Sequence, residues 1–186
     1  MDRSQSAEAI AGRATGALFF IGFGSLWLST GLSALHRLNS VSAGGVAIIA
    51  LALAIPAVRL LRRAGKPSQL ATSAAEQAKV KRVFRIVNII QWSGVVAAAI
   101  LLTIFHLQLF IVPAIATIVG LHLFPLARVF HYPLHYVTGA LLLLWSAGVV
   151  VALPQEKLPS VGALGTAAIL LVSAAYTLTI ATRATR

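Results

Sequence analysis

The chain has no cysteine, a single methionine and only four acidic residues among its 186. Without cysteine there is neither a disulfide nor a thiolate metal site, and the redox compartment is left open. The shortage of acid says more. None of the four carboxylates (Asp2, Glu8, Glu76 and Glu156) falls inside a long apolar run. Carboxylates buried in a membrane mark proton relays and cation pathways, so a carboxylate-driven pump or antiporter is disfavoured. No lysine lies within an apolar run either, which excludes Schiff-base chemistry on a buried amine. The arginine ladder of a voltage sensor is missing, as is the H-E-x-x-H motif of a zinc protease. No serine in a glycine-rich turn faces a histidine in the manner of an intramembrane protease.

What is present is hydrocarbon. Hydrophobic residues make up 59% of the chain and charged residues 10%, against roughly a quarter charged in an ordinary soluble domain. A soluble chain of this length cannot hide so much apolar surface from water. Several uncharged stretches exceed the ~18 residues at which a membrane-spanning helix becomes the default reading. The expected fold is therefore an all-α, polytopic integral membrane helix bundle in one domain. Its six spans fall at about 14–35, 41–61, 83–105, 106–128, 133–153 and 160–181.

A cleaved leader is the competing reading of the first run. The two acids ahead of it and its excess over the usual ~7–15 apolar residues speak against that. Ser25, Ser29 and Ser33 recur at i, i+4 and i+8, a small-residue face suited to close helix packing. The only substantial loop, 62–82, carries Gly65, Lys66 and Pro67 as helix breakers. Ser73 followed by Glu76 has the S-x-x-E form of a capping box, so the third helix is expected to start near Ser73. Pro113, Gly120 and Pro125 read as weak points of the fourth span, and Pro133 suits a first helical position. TGAL occurs at 15–18 and again at 138–141, and spans one, three and five carry one tryptophan each (Trp27, Trp92, Trp145). Three related hairpins would give that pattern.

The net charge of +11 is spread between the apolar runs, not along an aromatic-studded stripe, which argues against nucleic acid. The positive-inside bias accounts for it. With the 62–82 loop in the cytoplasm, thirteen of the fifteen basic residues lie on that side and only Arg37 and Lys157 lie opposite. Both termini are then cytoplasmic, and a bacterial plasma (inner) membrane is the expected location. Anionic lipid headgroups at the cytoplasmic face are the expected partners, and a homo-oligomer is left open.

The polar residues gather in one stretch, IVGLHLFPLARVFHYPLHYVT at 118–138, which holds three of the five histidines. On the third span Asn88, Gln91 and Trp92 share a face at i, i+3 and i+4. A rise of ~1.5 Å per residue puts Gln91 about 9 Å from Arg85, and His122 about as far from Arg128. Asn88, Gln91, Trp92, His122 and His135 are thus expected to meet in the cytoplasmic half of the bundle, with Tyr136 beside them and Arg128 as a cap. The bland alternative for Asn88 and Gln91 is interhelical hydrogen bonding, and for His131, His135, Tyr132 and Tyr136 an interfacial place. His106 reads as a span boundary.

No cofactor is assigned. Neutral imidazole suits Zn, Cu or Fe, but Pro133 spoils a helical pair between His131 and His135, and no carboxylate or thiolate completes a shell. A bis-histidine haem between His122 and His135 is disfavoured by their difference in depth. Arg128 with Tyr132 could hold a lipid phosphate. The leading functional expectation is a small transporter- or channel-like protein with a His/Gln/Asn pocket. A membrane binding or accessory protein for a lipid, small apolar ligand or partner helix stands beside it. An intramembrane histidine enzyme or redox protein ranks behind, because no catalytic arrangement is visible.

Overall fold

The computed structural model describes residues 3–64, 74–130 and 132–183, with side chains from residue 10 in the first segment and from 78 in the second. His131, the Gly65–Lys66–Pro67 break and the Ser73–Glu76 box fall outside the residues and side chains so described. The described residues are 92% helical, without a strand, and six of the helices are long and apolar enough to cross a membrane. They are α1 (Arg3–Ala34), α2 (Ser40–Ala64), α3 (Ala74–Ile104), α4 (Ile111–Val129), α5 (Leu134–Ala152) and α6 (Leu158–Arg183). Single 3-10 turns, Gln108–Phe110 and Gln155–Lys157, lead into α4 and α6.

Local chemistry sets several of these boundaries. At the end of α1, Arg37 N–H bonds Leu32 O and His36 N–H bonds Ser33 O, a Schellman motif with His36 in the left-handed region at φ 54°. The end of α3 repeats it: Leu107 N–H bonds Leu102 O, His106 N–H bonds Thr103 O, and His106 has φ 56°. His106 is indeed a boundary, and the motif delays α4 to Ile111. The start of α2 is capped reciprocally, Ser42 N–H donating to Asn39 Oδ1 at 3.0 Å and Asn39 N–H to Ser42 Oγ at 2.9 Å.

The two prolines of α4 differ in the structure. Pro113 occupies the first turn of α4, where an N–H has no helical partner to lose, so it is no weak point. Pro125 lies within α4 and deprives the Leu121 carbonyl of its usual i+4 donor.

The bundle is organised around α6. It packs most extensively on α1, then on α5, α4 and α2, while α4 pairs with α5 on one side and with α3 on the other. Half of the most apolar window of α6 is buried, against none of that of α3. So α6 is the hub and α3 the most peripheral helix. Close approach depends on glycine. A Cβ on Gly31 would lie 2.7 Å from the Leu164 side chain and 3.1 Å from its backbone nitrogen, and one on Gly24 would meet Leu171 at 2.8 Å. These glycines, not the serine stripe, bring α1 against α6. Ser29 and Ser33 instead line a shallow groove with Thr30 and Leu38.

The TGAL repeats occupy unlike surroundings. Thr15 is exposed and bonds back to Ala11 O, whereas Thr138 is fully buried and reaches across to α6. Among the described basic side chains, those toward the N-terminal ends of α1 and α3 and the C-terminal ends of α2, α4 and α6 share one end of the bundle. Arg37 and Lys157 are at the other.

Candidate functional site

The buried polar centre lies where α5 meets α1, α4 and α6. His135, in the first turn of α5, is 7% exposed. Phe20 of α1 meets its ring edge-on at 5.5 Å between centroids, and Tyr132 does so at 5.2 Å. Gly16 of α1 lies alongside, where an added Cβ would make an ordinary contact with His135 Cε1 at 3.8 Å. The second histidine comes from α4. Half-buried His122 lies two residues past Gly120, which crosses Gly139 of α5 backbone to backbone, and it contacts the Val87 backbone of α3. Both Nδ1 atoms are buried and neither has a hydrogen-bond partner. Where Nε2–H of a neutral His122 donates to the Val87 carbonyl, its Nδ1 is left as an acceptor.

A series of hydroxyl hydrogen bonds runs along the α5–α6 seam beside these histidines. Thr138 Oγ1 donates to Ser173 Oγ at 2.9 Å, Thr177 Oγ1 to the Ser173 carbonyl at 2.8 Å, and Tyr132 Oη to Thr177 Oγ1 at 3.1 Å. Above the Tyr132 ring sits the Arg13 guanidinium, 5.8 Å from the centroid. Toward the opposite end the α5–α6 seam is closed. The Trp145 indole presses on Gly165 and its N–H donates to Gly162 O at 3.2 Å.

The residues expected from the sequence divide into three groups. His122 and His135 come together as the polar pair. Gln91, half-buried, lies one turn beyond Val87 on the side of α3 that Gly94, opposite Ile118, turns toward α4, so it borders the same interface. Asn88 and Trp92 do not join them. They line an open groove on the outer face of α3, Asn88 Nδ2 bonding back to Phe84 O at 2.9 Å and Trp92 54% exposed. Their angular step from Val87 turns them away from α4, as a helix of 3.6 residues per turn requires. Arg128 is exposed at the end of α4, and Tyr136 faces outward with its ring edge-on to Phe124 at 5.8 Å. Among the described residues, no three His, Cys, Asp or Glu side chains gather as a metal site.

Sequence reasoning missed the α6 contribution. Thr166, Ser173 and Thr177 are buried at i, i+7 and i+11, a polar stripe in an otherwise apolar run. That spacing was the available signal. Tyr132 also does more than sit at an interface, since it ends the hydroxyl chain.

The fold defines a multi-pass membrane protein. Comparison with protein-family models, curated proteins and solved structures finds no match to this chain.

Proposed function

We propose that this chain is a multi-pass protein of a bacterial plasma membrane that binds a small polar solute at the His122–His135 pair. Its cationic end faces the cytoplasm, in accord with the positive-inside bias. The observation that carries the reading is the pair of buried, unpartnered imidazole nitrogens in an apolar bundle. Leaving one such group unsatisfied costs about 1–3 kcal/mol, and a solute with an N–H or O–H donor recovers that cost. Gln91 stands at the edge of the seat. Tyr132, Thr177, Ser173 and Thr138 offer a polar approach from the cationic end, and Trp145 against Gly165 makes the seat blind at the other.

The second reading is transport, in which the seat opens alternately to both faces. Thr166 favours it: its Oγ1 is buried without a partner in the part of α6 between Ser173 and the Trp145 closure. Movement of the indole away from Gly165 would join Thr166 to the path. An enzyme reading has no such support.

The test compares full-length wild type with His122→Phe and His135→Phe in mild detergent by native mass spectrometry. Wild type should retain one small molecule per chain, and both variants should lose it while staying folded. Proteoliposomes loaded with a pH-sensitive dye then report proton or ammonium flux. Flux above protein-free vesicles that vanishes with His122→Phe selects transport. Absence of both retained solute and flux would leave the pair a packing feature only.

A further inference from the structure

We infer that the outer face of α3 is a specific binding site for one anionic phospholipid, separate from the histidine pair. Lys81, Phe84, Arg85, Asn88, Ile89 and Trp92 line a groove of about 670 Å³. All of them belong to α3, so the groove opens away from the bundle, toward lipid. Their order along the helix matches the order of groups in a phospholipid. Lys81 and Arg85, at i and i+4, occupy one face at the cationic end. Asn88 follows ~4.5 Å deeper than Arg85 at the helical rise per residue, close to the depth of glycerol esters beneath a phosphate. One of its amide hydrogens is engaged by Phe84 O, which leaves the other N–H and the carbonyl oxygen for an ester or headgroup hydroxyl. Trp92 comes next, about 10 Å below Arg85, with more than half its surface open as a wall for acyl chains beside Ile89.

Charge selects this occupant. Lys79 and Arg82 add to the positive charge of this end of α3, and the edge contact of Phe84 with Phe130 at 6.0 Å brings the end of α4 that carries Arg128 alongside. Among the described side chains the sole carboxylate, Glu156, is at the opposite end of the bundle. A zwitterionic lipid would bring a second cation into this cluster, and a second copy of the chain would bring the same cations. A net-negative headgroup neutralises them.

The experiment places the full chain in nanodiscs of phosphatidylcholine with a minor fraction of brominated phosphatidylglycerol or, separately, brominated phosphatidylcholine. Bromine quenches tryptophan on contact, and the difference between wild type and Trp92→Phe isolates the Trp92 signal. We expect the phosphatidylglycerol probe to quench Trp92 at concentrations at least about tenfold lower than the phosphatidylcholine probe. Lys81→Gln with Arg85→Gln should abolish the difference, while Arg37→Gln with Lys157→Gln should keep it. Equal quenching by both lipids, or a preference that survives Lys81→Gln with Arg85→Gln, would overturn the proposal. So would shielding of Trp92 from both probes in a dimer, which would assign the face to a second copy. His122→Phe should leave the quenching unchanged, so this site can fail or stand independently of the histidine seat.

Discussion

Gly120 and Gly139 cross backbone to backbone, and His122 and His135 each lie within about one helical turn of that crossing. A Cβ built on Gly139 would stand 2.7 Å from Gly120 O, and one on Gly120 would stand 3.0 Å from Gly139 O. Neither contact can relax by turning a side chain. The expected cost of Gly139→Ala is about 1–3 kcal/mol, the usual range for overpacking. Gly148→Ala, with nothing within 4 Å of its added carbon, should stay within about 0.5 kcal/mol of wild type. Reversible unfolding in mixed micelles checks both, and equal effects at the two positions would contradict the crossing.

The histidine seat carries a stability cost that substitution can reveal. Phenylalanine keeps the ring and removes the unpartnered nitrogen. His122→Phe also gives up the contact with Val87, so the two changes offset and the melting temperature should stay close to wild type while retained solute is lost. His135→Ala should lower stability, because it empties the space between Phe20 and Tyr132 and adds a cavity. A His122→Phe protein that unfolds more readily than wild type would show that the nitrogen has a structural partner.

Thr138 and Ser173 join α5 to α6 by a buried hydroxyl pair at 2.9 Å. A double-mutant cycle with Thr138→Val and Ser173→Ala should return a coupling near ~0.6 kcal/mol and below ~1.7, the span seen for interhelical hydrogen bonds in membranes. Zero coupling in unfolding titrations would mean that the two hydroxyls do not depend on one another.

His36 and His106 hold a left-handed conformation without being glycine. His106→Gly is expected to stabilise by up to about 1 kcal/mol by removing the Cβ penalty. His106→Val should destabilise by about 1–3 kcal/mol, since a β-branched residue tolerates that region least. Thermal scans of the two variants should move in opposite directions.

Much of this fold could be read along the chain. Each apolar run long enough to cross a bilayer became a helix, because a backbone in hydrocarbon has to satisfy its own hydrogen bonds. The basic residues between the runs gathered at one end for the arithmetical reason that six antiparallel spans bring alternate links together. The histidine pair was legible as well, since both residues flank a bend joining consecutive helices. Asn88 and Trp92 were not placed correctly by spacing. They share a face with Gln91 only loosely, and a step of one residue from Val87 turned them from α4 toward lipid.

The sequence by itself determined the class: a six-helix membrane protein with one cationic end and a polar bend between the fourth and fifth spans. Only the tertiary structure decided that α6 is the hub and α3 the periphery, that Gly24 and Gly31 rather than the serines meet α6, and that a hydroxyl pair, Thr138 and Ser173, ties α5 to α6. The reason lies in the solvent. In water, a buried face announces itself by being apolar where the rest is polar. In a bilayer, lipid tails and neighbouring helices are equally apolar, so hydropathy locates a span and is silent about which side of it faces the protein.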